Sequence, residues 1–500
     1  MHKFNCLFCV KSINVIAVII IAITITMAQG SAIWDGTTDV SWYNASQAEF
    51  TIATAEQLAG LASLVNNGTN DFEGKTIILK NNLYLDNRNW TPIGGNIGFL
   101  GIFEGNNYSI SDLFISSKQE YVGLFGHVDY GGQIKNLIVN VTEIITTSDE
   151  GVAGGLVGLY GSTKSIANCG VIIKEKIHST LYSGGLVGLS NIEMTINNAY
   201  VIGNVSSSNF SYSAHSGGLV GWGNSITINN SYATGNVSAF CGGDLDEEPY
   251  SFAGGLVGGG DIMVTVNNSY TISNISASST EVALSGGIAG FAGGQGITSN
   301  SYASGTVTAT GLEAGAGGIF GNVNDSRTNI SVFYNSQGAN QATGGGESIG
   351  ILAKNSEQLK AQNTFLNWDF IDIWGINSEI NNGYPYLRVI GDNPVVSISN
   401  AQRSDSRCGI RFTNNVVSKQ AEINIILPNN EKTAEMKTVI YDNIGNVVFT
   451  SVKRGDKAVW DLTNNTGRKV ANGTYLLVVE VKGVSGRSYM YSAKLGVSGW

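Results

Sequence analysis

The sequence predicts an all-β protein in which a parallel β-solenoid with a helical cap at its N-terminal end precedes a small β-sandwich. Three observations support this. A glycine-centred phrase recurs at intervals of 30 to 37 residues, the aligned copies carry β-branched and aromatic residues in matching columns, and the composition changes from Pro394 onward. A period of this size indicates units that bury their apolar faces only by stacking on one another.

The N-terminus has the layout of a secretory signal peptide. Lys3 and Lys11 precede an apolar run over residues 15–25, and cleavage is expected after Ala28 or Ala32. A membrane anchor is the alternative for a run of this length, but no stop-transfer pattern follows it. We therefore assign residues 1–32 to the signal peptide and expect a secreted or cell-surface protein that is not an integral membrane protein after cleavage.

The composition excludes some partners and chemistries. The formal net charge is −10, and no basic stretch is longer than Lys453-Arg454, so nucleic acid is not an expected partner. The mature chain keeps Cys169, Cys241 and Cys408, whose wide spacing fits small buried residues better than a metal site or a disulfide framework. The sequence contains no HExxH motif, and its glycine-rich strings match no phosphate-binding fingerprint.

The clearest helix of the chain comes before the repeats. Residues 54–68 read TAEQLAGLASLVNNG, in which Thr54 and Gln57 form a capping box, Leu58 and Leu61 begin an apolar stripe, and Gly68 ends the helix. A stacked sheet leaves unpaired strand edges that must be covered. We assign this helix to an N-terminal cap, which with the first coils of the solenoid spans residues 33–120.

The repeats occupy residues 121–345, and the solenoid ends over residues 346–392. Each full copy starts with a pair of glycines, followed by a Leu/Ile position that is expected to point inward and then by a more variable Val/Ala/Phe position. The pairs begin at Gly154, Gly184, Gly217, Gly254, Gly286 and Gly317, in steps of 30, 33, 37, 32 and 31 residues. The segments are short and bounded by Gly, Asn and Ser, which is typical of strands separated by turns.

Two further columns have predicted structural roles. Asparagine pairs such as Asn229-Asn230 suit turns, because asparagine tolerates the left-handed region and its amide can bond along a stack. Tyr232 and the tyrosines at matching positions are expected to form a structural ladder, since they recur in four successive copies, as Tyr200, Tyr232, Tyr270 and Tyr302.

The phrase GGLVG with a downstream NNSYATGNVSA resembles the GLUG repeat of bacterial surface and secreted proteins. The similarity extends from TAEQLAGLASLVNNG through WTPIGGNIGFLGIFEGNNYSISDLFI to SEQLKAQNTFLNWDFIDIWGINSEINNGYPYLRV, which covers roughly residues 33–390. The resemblance implies a stacked β architecture and export. It does not imply an activity, because such arrays are attached to many different partners.

Residues 393–500 have the pattern of a small β-sandwich. The apolar runs EINIIL, KTVIYDNIGNVVF, AVWDL, GTYLLVVEV and SYMYSAKL alternate with turns such as Asn472-Gly473. The stretch WDLTNNTGRKVANGTYLLVVEV resembles the C-terminal sorting domain of type IX secretion cargo and the Ig-like domain of flagellar hook-capping proteins. That resemblance implies contact with an export machinery through these residues.

The candidate functional loop is FCGGDLDEEPYS, over residues 240–251, which makes the longest step between repeats. Its acids Asp244, Asp246, Glu247 and Glu248 are candidate ligands for Ca²⁺ or a candidate general acid/base pair, although four neighbouring acids on a loop more often form a solvated turn. Aromatic residues near the same turns are a candidate platform for stacking sugars. These are Phe210, Tyr212, Trp222 and Tyr250.

The sequence thus predicts an exported, non-enzymatic β-solenoid that acts as an adhesion, glycan-binding or spacer module, with glycans or cell-surface components as partners. No catalytic residue, metal site or cofactor is assigned. The alternative hypothesis is a polysaccharide-active enzyme with its carboxylates in the acidic loop, which requires two carboxylates facing one groove within about 10 Å.

Overall fold

A computed structural model describes residues 33–388, except 244–248, 326 and 379. It also describes residues 409–411, 416–417, 419–427, 432–442, 447–484 and 488–498. The chain divides into two compact units, Met1–Pro394 and Val395–Trp500. The predicted signal peptide, residues 1–32, lies outside the described residues. Strands dominate both units, so the predicted all-β class is confirmed.

The glycine pairs of the first unit lie in register. Each strand that ends at the first glycine of a pair is hydrogen bonded, in parallel, to the equivalent strand of the next repeat, and the six first glycines are aligned. These lead strands form one seven-stranded sheet. They are Tyr121–Val122, Val152–Gly154, Tyr182–Gly184, Ser213–Gly217, Tyr250–Gly254, Val282–Gly286 and Glu313–Gly317.

The other strands of the array form a parallel sheet of 25 strands. Those that follow the glycine position are Phe125–Val128, Val157–Tyr160, Val187–Asn197, Val220–Asn229, Val257–Asn267, Ala289–Ala292, Phe320–Val323 and Thr343–Gly345. Those of the tyrosine column and its extensions are Leu83–Tyr84, Ser109–Ser117, Ile138–Thr146, Gly170–Ser179, Tyr200–Ile202, Val205–Asn209, Tyr232–Cys241, Tyr270–Ser279, Ile297–Ser304, Val307–Thr310, Thr328–Asn335 and Ile351–Lys354. The remaining strands are Glu49–Ile52, Thr76–Leu79, Ile102–Glu104, Gln133–Lys135 and Ile166–Ala167.

The core of the first unit is built from the columns that follow the glycines. The predicted inward Leu/Ile column is fully buried at Leu156, Leu186, Leu219, Leu256, Ile288 and Ile319. The next column, which varies among Val, Ala and Phe, is equally buried, from Val157 to Phe320. Both columns therefore belong to one core, because the chain turns at this point and places consecutive residues inside.

The glycine pair is required by close backbone approach. A Cβ at Gly217 would meet the carbonyl oxygen of Val220, and a Cβ at Gly218 would meet the carbonyl oxygen of Gly255 in the next repeat. Neither glycine has a positive φ. Glycine is favoured either where φ is positive or where backbones approach closely, and close backbone approach is the reason at this pair.

The asparagine pairs form the predicted ladders. The second asparagine of each pair has left-handed φ values between 44° and 55°, as at Asn198, Asn230 and Asn268. Side-chain amides donate to the matching asparagine of the preceding repeat at 2.8–3.2 Å, as from Asn198 to Asn168 and from Asn230 to Asn198. The turn is thus stabilised both by residue type and by bonds along the stack.

The predicted N-terminal helix is present as α1, Ala55–Asn66. The Thr54 hydroxyl accepts a hydrogen bond from the Gln57 backbone, and Gly68 follows the helix with a φ of 69°. The Gln57 side chain accepts from the Ala53 backbone N–H rather than from that of Thr54, which displaces the capping box by one residue. The buried face of α1 joins the same core as the repeats.

The tyrosine ladder is also present and lies in a separate apolar cluster. Tyr200, Tyr232, Tyr270 and Tyr302 stack at centroid distances of 5.6, 4.8 and 5.2 Å. Residues 356–388 cover one end of this ladder, with Trp374 lying 6.2 Å from Tyr302. That segment contains α2, Ser356–Leu359, the 3-10 turns Gln362–Thr364 and Asn381–Gly383, and an antiparallel pair of strands, Trp374–Gly375 and Tyr386–Leu387.

The second unit has two sheets that share one apolar core. The three-stranded sheet comprises Gly409–Arg411, Ala421–Ile426 and Lys457–Trp460, and the five-stranded sheet comprises Val416–Val417, Thr433–Tyr441, Val447–Lys453, Gly473–Gly483 and Ser488–Val497. Ile423 and Trp460 of the first sheet belong to the same buried cluster as Leu477 and Val479 of the second. The five apolar runs singled out in the sequence all contain strands.

Two further expectations concern helices and cysteines. In the part of the chain that the structure describes, no helix is both long and apolar enough to cross a membrane. Cys169 and Cys241 are buried, as expected, and Cys408 lies outside the described residues.

Candidate aromatic binding groove

Two side-chain columns flank the glycine pair and lie outside the main core cluster. One is the lead-strand column that aligns Tyr182, His215 and Phe252. The other follows the glycines and aligns Leu189, Trp222, Gly259 and Phe291. Because parallel strands lie about 4.8 Å apart, aromatic residues at matching positions are brought within stacking distance.

The rings of these columns form a continuous stack. The His215 ring lies 5.4 Å from Tyr182 and 4.6 Å from Phe252, with interplanar angles of 14° and 27°. Trp222 lies 4.7 Å from His215 and, at an angle of 5°, 6.4 Å from Phe291. Offset near-parallel rings at these distances attract one another beyond the burial of their area. The stack therefore fixes the orientation of Trp222 relative to His215.

Gly259 leaves a gap in the second column. A Cβ at this position would collide with the six-membered ring of the Trp222 indole, which leans across the glycine toward Phe291. The backbone of Gly259 has no positive φ, so the requirement for glycine comes from the indole alone. The position of Trp222 thus depends on the absence of a side chain one repeat away.

Beside this gap the surface opens into a cavity of about 370 Å³, which we call the aromatic groove. Its apolar lining is formed by Tyr212, His215, Trp222, Tyr250, Phe252 and Phe291. Its polar lining is formed by Ser213 and Asp261, and Asp261 is exposed at the rim. An apolar concave surface with few polar groups is the usual form of a binding site for a small ligand or for part of a larger one.

The histidine in the groove is neutral. His215 is 4% exposed, and burial lowers the pKa of its imidazole to about 3. Its Nδ1 is buried and has no hydrogen-bonding partner in the described parts of the chain. His215 therefore acts as a neutral aromatic ring with an unsatisfied nitrogen.

The electrostatic environment of the groove is negative. Burial is the largest cause that raises the pKa of Tyr182 to about 12, followed by the charges of Tyr212, Asp261 and Glu150. Burial also raises the pKa of Tyr212, with further contributions from Glu150, Asp149 and Glu120. Glu120, Asp149 and Glu150 lie just before the lead strands of earlier repeats, whereas Asp261 lies in the strand Val257–Asn267.

The groove contains part of the predicted aromatic platform. Trp222, Tyr212 and Tyr250 line it, as the sequence suggested. Phe210 does not line it, since this residue is 75% exposed and makes an edge contact with Phe240 at 5.6 Å.

The acidic residues singled out in the sequence, Asp244, Asp246, Glu247 and Glu248, lie outside the described residues. The structure does describe what flanks them. The carbonyl oxygen of Gly243 accepts a hydrogen bond from the Thr280 hydroxyl at 2.7 Å, and that of Pro249 accepts from the Ser279 hydroxyl at 2.8 Å. Within the described ranges, no group of three or more His, Cys, Asp or Glu side chains could hold a metal ion.

Sequence reasoning missed His215, Phe252, Gly259, Asp261 and Phe291. A signal for some of them exists in the aligned copies, because the fifth residue after each first glycine reads Leu159, Leu189, Trp222, Gly259, Phe291 and Asn322. One aromatic residue on each side of a glycine, Trp222 and Phe291 around Gly259, marks this column as irregular. Asp261 has no such signal, since it lies where the strand register shifts.

The chain has little similarity to known proteins. No family model and no curated protein sequence matches this chain. Among solved structures, the crystal structure of dimeric latent PorU from Porphyromonas gingivalis is similar at 20% sequence identity, with a TM-score of 0.17. The similarity covers 23% of this chain and 10% of that one, so the matched region spans about a tenth of the PorU chain. A TM-score this low supports no inference about fold or function.

Proposed function

We propose that this protein is an exported β-solenoid of the GLUG-repeat type that binds glycans at a cell surface or in the extracellular space. The observation that carries the proposal is the aromatic groove, in which Trp222, Tyr212 and Tyr250 surround an open cavity next to Asp261. Sugars present apolar C–H faces and hydroxyl edges. Tyrosine and tryptophan, which have apolar bodies and polar tips, suit both.

The repeat array supports the solenoid assignment. Glycines, asparagines and tyrosines of successive repeats pair in register over many repeats, and their columns run along the array. Such an array is a rigid support that holds one groove at a fixed place, and it also suits the spacer role. Helix α1 serves as the N-terminal cap of the solenoid.

The N-terminal and C-terminal segments supply export in this proposal. Residues 1–32 are removed as a signal peptide, and residues 393–500 form a sorting sandwich that contacts the export machinery. N-terminal sequencing of the exported protein should give a chain that begins at Gln29 or Ile33. Surface display should be lost when residues 393–500 are deleted; display that persists without them contradicts the sorting role.

A binding experiment tests the groove. The protein, from residue 33 onward, is incubated with insoluble polysaccharides and with bacterial cells, and the bound fraction is measured against concentration. Trp222→Ala should weaken retention at least tenfold, because truncation of a buried aromatic anchor typically costs about 2 kcal/mol or more. Phe210→Ala is the matched control, since Phe210 is an exposed aromatic residue outside the groove.

The outcomes of this experiment differ clearly. Retention that both variants share equally with the wild type places binding elsewhere on the surface. Retention by no glycan or cell leaves the spacer role alone.

The enzyme hypothesis has its own test. Among the described residues that line the groove, Asp261 is the single carboxylate, so a catalytic pair would require a second carboxylate, which the enzyme hypothesis assigns to residues 244–248. A variant with Asp244→Asn, Asp246→Asn, Glu247→Gln and Glu248→Gln should bind glycans as the wild type does. Release of reducing ends by the wild type and not by this variant would favour the enzyme.

A further inference from the structure

The described lining of the aromatic groove carries a negative charge and no positive one. Asp261 is the charged side chain of its described lining, and no Lys or Arg is present among those lining residues. Besides burial, the charge of Glu150 raises the pKa of Tyr182, beside the groove, and that of Tyr212, which lines it; Asp149 also raises the pKa of Tyr212. The whole chain has a formal net charge of −10. A ligand that enters this groove therefore meets a negative field over an aromatic surface.

We propose that the ligand of the groove is a polysaccharide that carries unacetylated amino sugars, with the ammonium group of one sugar bound between the aromatic rings and the carboxylate of Asp261. This inference rests on the proposed glycan-binding function and names its substrate class. The apolar C–H face of the sugar packs on Trp222 or Tyr250, and the cation provides the specificity.

The physical basis is the combination of a carboxylate with aromatic rings. A cation near an aromatic ring is attracted by the quadrupole of the ring, most strongly for tryptophan. The Tyr250 ring lies at 65° to that of Phe252, at 6.0 Å, so the walls of the groove are not all parallel and can surround a compact group. Asp261 adds a charge-assisted hydrogen bond to an ammonium N–H.

The same features disfavour the other charged glycans. A sulfated, phosphorylated or uronic-acid polysaccharide would place its anion beside Asp261 with no positive group in the described lining to offset the repulsion. His215 does not supply that charge, because its imidazole remains neutral at neutral pH. Neutral sugars can still stack on the rings, but they gain nothing from Asp261.

His215 provides an independent indication of a ligand. Its side chain is 4% exposed, lines the groove, and has an Nδ1 with no partner among the described residues. Buried polar atoms are nearly always hydrogen bonded, so an unsatisfied one suggests that a group absent from the structure completes it. An ammonium N–H is such a donor when the imidazole carries its own proton on Nε2.

The experiment compares two oligosaccharides that differ only in acetylation. Short oligomers of β-1,4-linked glucosamine and of N-acetylglucosamine are titrated into the protein by isothermal titration calorimetry, at a pH at which the free amines are protonated. The glucosamine oligomer should bind about tenfold more tightly or better, which corresponds to one cation–π contact with an added ion pair.

Two substitutions and one control assign the preference to the groove. Asp261→Asn should remove most of the preference for the amine and leave the affinity for the acetylated oligomer unchanged. Gly259→Ala should weaken both oligomers, because the new Cβ displaces the Trp222 ring. Glu49→Gln, at an exposed position of strand Glu49–Ile52, removes the same charge far along the chain and should leave both affinities unchanged.

The outcomes separate this inference from the proposed function. If both oligomers bind equally and Gly259→Ala weakens both, the groove binds glycans but the ammonium inference is wrong. If Glu49→Gln reduces the preference as much as Asp261→Asn does, the preference arises from net charge and the inference is also wrong. If neither oligomer binds the wild type, the inference fails for this substrate class, and retention of other glycans then decides the proposed function.

Discussion

Alanine and glycine should have opposite effects on stability at Asn229 and Asn230: alanine should be the more stable replacement at Asn229 and glycine at Asn230. Asn229 ends the strand Val220–Asn229, and its amide donates to Asn197 at 2.9 Å. Asn230 follows it with a left-handed φ of 48°, and its amide donates to Asn198 at 3.2 Å. The two neighbours thus share the ladder role, but only Asn230 requires an unusual backbone.

The magnitudes follow from two opposing effects. A left-handed backbone costs a residue with a Cβ about 1–2 kcal/mol relative to glycine. Glycine in turn loses about 0.5–1 kcal/mol more conformational entropy than alanine on folding. At Asn230 the first effect is larger, so Asn230→Gly should be about 0.5–1 kcal/mol more stable than Asn230→Ala. At Asn229 only the second applies, so Asn229→Ala should be more stable than Asn229→Gly by a similar amount.

Hydrogen exchange measured by mass spectrometry on peptides spanning residues 220–240 is a suitable assay for the four variants. It reports the local free energy of opening, and it does not assume that the two units of the chain unfold together. Urea denaturation followed by circular dichroism should give the same order. The reasoning is refuted if alanine is more stable than glycine at both positions, because the left-handed turn would then not govern the choice of residue.

Three further predictions concern the core, the tyrosine ladder and the groove. Leu219→Ala should lower the free energy of unfolding by about 2–5 kcal/mol in urea denaturation, since Leu219 is fully buried; a loss below 1 kcal/mol would contradict its place in the core. Tyr302→Phe should cost about 1 kcal/mol, because its hydroxyl donates to the Pro385 carbonyl oxygen at 2.7 Å. Tyr232→Phe should be neutral or stabilising, because the Tyr232 hydroxyl is buried with no partner in the described structure; equal losses for the two tyrosines would contradict this difference. Burial lowers the pKa of His215 from 6.5 to about 3, so the unfolded state takes up a proton that the folded state does not as the pH falls below 6.5. Stability should therefore fall from pH 6.5 toward pH 3, and His215→Phe should reduce this loss when unfolding is measured at pH 7 and pH 4.5.

The regular features of the first unit were predictable because they repeat. Leu219 belongs to a column two residues after the first glycine of each pair, and Tyr232 to a column 15 or 16 residues after it. In a parallel array such recurring residues lie beside their equivalents in the next repeat, as Leu219 does beside Leu256 and Tyr232 beside Tyr270. The left-handed turn at Asn230 followed from the known tolerance of asparagine. The positions of the glycine pairs were predictable, but the reason for glycine was not, since sequence does not distinguish a positive φ from a close backbone approach.

The groove was predictable only in part, because it combines residues from two columns that meet across a bend. The sequence marks Trp222 and Tyr250 as candidates because they are aromatic residues near turns. It gives no such signal for His215 and Phe252, which lie within strands. Whether the two columns converge depends on the angle of the chain at the glycine pair, which no local pattern encodes. The place of Asp261 in the groove was not predictable for another reason, since this residue lies where the register between neighbouring strands shifts.

The location of the groove follows from the physics of a stacked array. Where successive repeats carry the same residue, equivalent side chains pack directly on one another and leave no cavity between them, as the rings of the tyrosine ladder do. A cavity forms where one column is interrupted, as it is at Trp222, Gly259 and Phe291. The Trp222 indole occupies the space that a side chain at Gly259 would fill, and Phe291 is left lining the groove. The groove is therefore a local site on one part of the array. It follows that strong binding to a surface would come from many protein molecules, or from several repeats of a polymeric ligand, acting together. Gly259→Ala, which restores a side chain to the gap, should therefore perturb the proposed glycan binding through one position, while the paired columns on either side remain.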